Sequence, residues 1–291
     1  MTSIPQEIEN RINTVYIISK GRPECLTAQT FLRINYPGQW FIVCGNNDET
    51  LPEYKNRWGD KVIVFDWYEQ IKHTDTLDNF GFEKMPSGAA PVRNATRAIA
   101  ESRGEFRHWQ FDDDYKRFRA YNKETGKNED IKDGKTLYDC MLKIAYFGYV
   151  TNTYNVGFTF VTIDSKPANR KKVGVRIFNA HNMSTDINNF TTWRGRLNDD
   201  LVNAIETYQK GTIEFCFKFV ALDTETTQKQ EGGLTEFYKE VGTARKTAYA
   251  IMMAPNAVKL VKMFGRYHHR VNWKRICPKL ISEKFKKENL K

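Results

Sequence analysis

PVRNATRAIAESRGEFRHWQFDDD, residues 91–114, is the stretch whose reading decides the fold. Residues 91–103 read as a helix, with Pro91 pre-set for the first turn and Gly104 just past the end. Residues 105–111 (EFRHWQF) read as a strand that runs straight into Asp112, Asp113 and Asp114. A helix feeding a strand that ends in carboxylates suits an open α/β sheet, whose ligands gather at the carboxyl ends of the strands.

Working outward, residues 14–19 (TVYIIS), 39–44 (QWFIVC) and 61–65 (KVIVF) are short apolar runs of buried-strand type. The first ends at the turn residues Lys20-Gly21-Arg22-Pro23, and residues 25–34 between the first two runs carry apolar positions at helical spacing. Strands alternating with helices predict a mainly parallel, Rossmann-like sheet with flanking helices. Downstream, the spacing predicts helices at 135–150 and 198–208, strands at 158–163, 173–178 and 212–221, and a polar loop at 223–230. Two last helices are expected at 234–253 and 256–263, with Pro255 between them. That loop is the one candidate boundary, which divides the chain into a core at 1–225 and a helical, basic extension of the same domain at 226–291.

With 291 residues, 40% hydrophobic and 27% charged, the chain is neither a disordered segment nor a coiled coil. No run approaches the roughly 18 apolar residues of a membrane span. The first residues lack the apolar core of a signal peptide, and the scattered Cys25, Cys44, Cys140, Cys216 and Cys277 read as reduced thiols. A cytoplasmic protein is therefore expected. The net charge is +10, and residues 266–291 carry nine Lys/Arg against two Glu. A second basic run comprises Lys166, Arg170, Lys171, Lys172 and Arg176. Such patches suit a polyanion such as nucleic acid.

Alternate residues of an extended segment face the same way, so Asp112 and Asp114 can address one bound group. Paired carboxylates with waters and phosphate oxygens make the environment that Mg²⁺ or Mn²⁺ prefers. Upstream, the small residues of 87–91 enter the helix that carries Arg93 and Asn94, a place for an anion at a helix N-terminus with a bidentate Arg nearby. Ser19, Lys20, Gly21 and Arg22 offer a second anion-facing turn. Asn198-Asp199-Asp200 opens a helix: Asp199 is placed to cap it, and Asp200 to serve as a dipole partner or as a general base. His268 and His269 can add an imidazole to a metal site or form a surface pair that contacts nucleic acid.

Taken in order, SKGRP, PVRNATRAIAESRGEFRHWQFDDD, WRGRLNDDLVNAI and GRYHH resemble the GT-A nucleotide-sugar glycosyltransferases, and within them the TET/JBP-associated glycosyltransferases linked to hydroxymethylated pyrimidines in phage DNA. The resemblance implies a DxD motif at Asp112 and Asp114, with a divalent ion and the donor diphosphate bound there. It implies donor contacts from Arg93, Asn94 and Asp113, an acidic catalytic motif at Asp199-Asp200, and a metal-ligating His268 or His269. A nucleotide-sugar donor (a UDP-sugar foremost) and duplex DNA as acceptor follow. The acceptor contacts are expected from Lys166, Arg170, Lys171, Lys172, Arg176, Trp193, Arg194, Arg270, Lys274 and Arg275. Two features depart from the family pattern: the middle DxD residue is a third Asp, and the acidic motif is Asp-Asp where the family has Glu-Asp. The competing readings are a GT-A enzyme with a protein or glycan acceptor, a two-metal nuclease or phosphotransferase, and a non-catalytic nucleic-acid binder.

Overall fold

The structure is a computed structural model that describes residues 4–79, 88–160, 176–186, 188, 191–224, 246–263, 265–280, 282 and 283. Four strands open the sheet: β1 (Val15–Ile18), β2 (Trp40–Gly45), β3 (Val62–Phe65) and β4 (Arg107–Asp112). All four run parallel in the order β3-β2-β1-β4. β1 is buried along its whole length, as a central parallel strand covered on both faces should be. Helices α1 (Gln6–Glu9), α2 (Leu26–Arg33), α3 (Leu51–Trp58), α4 (Trp67–Lys72) and α5 (Ala90–Ser102) precede or connect these strands. Gly104, just past α5, takes φ +73, in the left-handed region that glycine favours.

From β4 onward the sheet turns mixed. Strands β5 (Tyr115–Asn122), β6 (Lys127–Asp130), β7 (Asn155–Phe160), β8 (Ala180–Ser184) and β9 (Glu214–Thr224) continue it as β4-β8-β7-β9-β5-β6. Only β7 and β9 are parallel in this half. The expected α/β architecture is present, with a second half more antiparallel than a mainly parallel sheet would be. β5 and β6 were not anticipated, because YKRFRAYN mixes cations with aromatics and hides its pairing partners. α6 (Gly134–Val150) starts where Asp133 caps it, accepting from the backbone N–H of Lys135 and Thr136. The main core joins α2, α6 and both halves of the sheet around Trp109, Phe111, Phe118 and Phe158.

Helix α7 (Asp199–Gln209) packs Leu201, Ile205 and Tyr208 against Ala250, Ala254, Ala257, Val258 and Ile276. Ala250 belongs to a helix (α8) whose described part is 246–253. The expected helix over 256–263 is instead a strand, β10 (Val258–Met263), paired antiparallel with β11 (Arg266–Val271) in a ribbon of its own. A short helix, α9 (Trp273–Ile276), follows. Of the expected strand over 173–178, residues 173–175 lie outside the described residues, and Arg176–Phe178 are irregular, with β8 beginning only at Ala180. Asp223 and Thr224, expected to open a polar loop, belong to β9, and the rest of that expected loop lies outside the described residues. Among the described residues no helix is long and apolar enough to cross a membrane. The five cysteines are free.

Candidate active site

Chain order reverses at β1: β2 and β3 lie to one side of it and β4 to the other. The crevice outside the carboxyl ends of β1 and β4 is thus the switch point where such sheets bind ligands. The register pairs Ile18 with Asp112, which sets the turn after β1 beside the acidic run after β4.

Asp113 joins those two loops. Ser19 Oγ donates to its Oδ2 at 2.5 Å, and Arg22 Nη1 meets its Oδ1 at 2.9 Å. Gly21, at φ +66, donates its N–H to Asp48 Oδ2 at 2.9 Å. Burial pushes the Asp113 carboxyl up, against the pull of Arg22 and Ser19. Lys20 Nζ lies 4.9 Å over the Trp67 ring. The four turn residues Ser19 to Arg22 are therefore ordered around the middle aspartate and its neighbours.

Arg93 is the hub of the site. It is 4% exposed, yet its guanidinium spans two carboxylates: Nε donates to Asp199 Oδ2 at 2.9 Å, and Nη2 to Asp112 Oδ1 at 3.1 Å. Burial disfavours its charge, but Asp112 and Asp199 outweigh that and raise its pKa. Its face lies 4.8 Å over Trp193, and Nη1 is buried with no hydrogen-bond partner among the described residues. Asn94 turns the other way, exchanging both of its amide hydrogen bonds with the backbone of Trp193 at 3.0 and 2.9 Å. The remaining oxygen of Asp112 accepts from Asn179 Nδ2 at 2.9 Å.

The acidic pair of α7 corrects one expectation. Asn198, at φ 57, is the cap position and makes no side-chain cap bond, while Asp199 spends its carboxylate on Arg93. A buried cation outcompetes the helix's own N–H groups for it. Asp200 accepts from Arg176 Nη2 at 2.7 Å and from the Leu201 N–H at 2.8 Å. The two carboxyls are driven apart. Burial raises Asp199 beyond what Arg93 takes back, whereas at Asp200 the charges of Arg176 and Lys246 overcome burial and hold it below the ordinary value. His269 is the histidine brought to this pair: its Nδ1 is 3.4 Å from Asn198 Nδ2. Burial, with Arg176 nearby, pushes its imidazole down to about 4, so it is neutral at pH 7.

Behind the pair lies a polar layer that the sequence reading missed. Asn155 donates to Glu214 at 2.8 Å and meets His181 Nδ1 at 3.0 Å, and the second oxygen of Glu214 receives the Ile177 N–H at 3.2 Å. Glu214 thereby holds the 176–179 segment, which carries the clamps Arg176 and Asn179. Burial pushes Glu214 up to about 7 and His181 down to about 3. No spacing rule connects a Glu at the start of one strand to a loop that precedes another strand.

Asp114 completes the acidic run. Burial, then Asp112 and Asp113, push it up to about 7, and its Oδ1 is buried without a partner among the described residues. Among the described residues no three His, Cys, Asp or Glu side chains form a group that could hold a metal ion. Asp112 and Asp114 offer two carboxylates, one with an unsatisfied oxygen, which fits an ion of the Mg²⁺ class that takes its other ligands from phosphate and water.

Several side chains expected at an acceptor surface are engaged elsewhere. Trp193 is fully buried under Arg93, Arg176 is 9% exposed and paired with Asp200, and Arg194 pairs with Glu206 at 3.2 Å. Lys166, Arg170, Lys171 and Lys172 lie outside the described residues. Arg270, Lys274 and Arg275 are exposed.

Residues 13–233 match the TET-Associated Glycosyltransferase family model, a segment that contains Arg93, the acidic run and the acidic pair. The chain belongs to that family. It is therefore a glycosyltransferase, and the nuclease and binder readings give way to an enzyme that transfers sugar. His268 and His269 lie beyond the matched segment. No curated protein matches the chain.

Proposed function

We infer that this TET-associated glycosyltransferase moves a sugar from a nucleotide-sugar donor to the hydroxymethyl group of a pyrimidine in duplex DNA. The observation that carries the reading is the chain Asp112–Arg93–Asp199 at the β1/β4 switch point, which joins a metal-type carboxylate run to an ionised acid, Asp200, one residue further on.

Asp112 and Asp114 would hold Mn²⁺ or Mg²⁺, which when bound neutralises charge on the leaving diphosphate. Arg93 keeps Asp112 oriented, and its unpartnered Nη1 is a donor for a phosphate oxygen. Ser19, Gly21 and Arg22 form the adjoining wall of the donor pocket, braced by Asp113 and Asp48. Asp200 is the base. It is already ionised, and its side chain is 19% exposed against 10% for Asp199. The acceptor hydroxyl oxygen bonds to the anomeric carbon, the bond from that carbon to the diphosphate oxygen breaks, and the hydroxyl proton passes to Asp200. The +10 net charge supports a polyanionic acceptor.

The test is incubation with Mn²⁺, a panel of sugar nucleotides and duplexes carrying hydroxymethylcytosine or hydroxymethyluracil, followed by nucleoside mass analysis. The modified base should gain one sugar, and chelation with EDTA or Asp114→Ala should abolish the gain. Transfer to a glycan or peptide with none to DNA would replace the acceptor. Full transfer in EDTA would remove the metal.

A further inference from the structure

The ribbon formed by β10 and β11 stands apart from the main sheet, since among the described residues each strand pairs only with the other. Its root is fixed. Val258 is 2% exposed in the cluster with Leu201, Ile205 and Tyr208 of α7, Val271 packs on that cluster, and the Asn272 N–H closes on the Ala257 carbonyl at 2.8 Å. Because α7 also carries Asp200 in its first turn, the ribbon springs from the element that holds the proposed base.

The register decides what the ribbon presents. Leu260 lies opposite His269 and Lys262 opposite Tyr267, and directly opposed antiparallel residues share a face. His269 sits at the inner end of that face, beside Asn198 and within the field of Asp200. Moving outward, the same face carries Leu260 at 47% exposure, Tyr267 at 49%, and an exposed Lys262. On the opposite face Lys259 lies across from Arg270, both exposed. Residues 256–275 contain six Lys/Arg and no Asp or Glu.

A surface whose charged residues are all cationic and that also displays exposed Leu and Tyr calls for a partner with regular anionic charge and apolar edges between the charges. Duplex DNA supplies both, and its major groove admits a two-stranded ribbon. Six residues per strand span about 20 Å. A substituent at C5 of a pyrimidine projects into that same groove. Resting on the DNA-acceptor reading above, we propose that the β10–β11 ribbon enters the major groove of the acceptor duplex. Lys259, Lys262 and Arg270 take phosphates, Leu260 and Tyr267 lie against the modified base, and the substituent is delivered to Asp200 at the ribbon's root. Of the two basic stretches expected at the acceptor, 166–176 and 266–291, this centres recognition on the second, in a ribbon whose first strand the sequence spacing presents as a helix.

The experiment uses the full chain and a fluorescein-labelled duplex carrying hydroxymethylcytosine, titrated at several salt concentrations. Wild type should bind with a steep salt dependence. Replacing both lysines (Lys259→Ala with Lys262→Ala) should lower the slope of log affinity against log salt by about 2, one for each lost phosphate contact. Tyr267→Ala should keep the slope but lower duplex affinity by about 10-fold through the lost apolar contact with the base edge. Sugar-nucleotide affinity, measured by calorimetry, should be the same in all three proteins, which also shows that each is folded. Wild-type slope and affinity in both variants would overturn the ribbon while leaving the DNA acceptor standing. Tighter binding to the matching single strand than to the duplex would overturn groove entry. Failure of the wild type to bind any duplex would overturn the ribbon and the acceptor reading together.

Discussion

Asp112 and Asp114 leave the end of β4 while Asp199 and Asp200 open α7, and the two groups share one cation, Arg93. Beyond that shared cation their surroundings differ. The helix pair also faces Arg176 and Lys246, so Asp200 is held ionised in a nearly buried place. The strand-end run has Arg22 on its middle residue, and Asp114 is left with a raised carboxyl and an unpaired oxygen. The first group has its counter-charge built into the protein, and the second is short of positive charge. The first arrangement keeps an acid ionised, as proposed for Asp200, and the second suits the proposed uptake of a metal ion with a diphosphate.

The largest effect that can break this contrast is on turnover. Asp200→Asn keeps the shape but cannot take a proton, so single-turnover transfer should slow by roughly 10²–10⁴-fold, with donor affinity retained. Near-normal transfer would hand the base to Asp199. The next effect is on stability. Asp199→Ala leaves a buried guanidinium with one carboxylate partner in place of two and should cost about 3–5 kcal/mol in denaturant unfolding. Asp114→Asn, by contrast, removes a carboxyl that burial disfavours and should not lower the melting temperature at neutral pH, although transfer is lost. Equal destabilisation by the two changes would erase the distinction between the groups.

A smaller effect concerns the shared cation. Arg93→Lys keeps the charge but not the fork, so one of the two carboxylate bonds is lost, a cost of about 1–3 kcal/mol. Donor binding should weaken alongside. The smallest effect belongs to a control carboxyl at the opposite end of β4. Glu105 is buried, and burial pushes it up to about 7 while Tyr16 and Arg103 pull against it. The folded protein therefore keeps a proton that the unfolded chain has already released. Stability from this group is full at acid pH and declines as pH rises from the ordinary carboxylate range through about 7. Melting followed across that window should show a flatter pH dependence in Glu105→Gln than in wild type.

What the sequence determined by itself is local and periodic. The apolar runs of β1, β2 and β3, the Pro-to-Gly punctuation of α5 and the strand ending in DDD each carry their reading within a dozen or so residues. Together they place a parallel half-sheet and carboxylates at its ligand-binding edge, because burial on both faces demands continuous apolar strands. The motif order likewise marked the family. Tertiary structure alone decided the partners. Arg93 meets Asp199 across 106 positions, Asn179 meets Asp112 across 67, and nothing in the spacing of either residue encodes the other. It also decided that residues 258–263 are strand: Val258 and Val261 at helical spacing suit either element over so short a run, and only pairing with RYHHRV selects the ribbon. Periodicity reports which face of an element is buried, whereas charge pairing and strand partnership depend on which distant segment covers it.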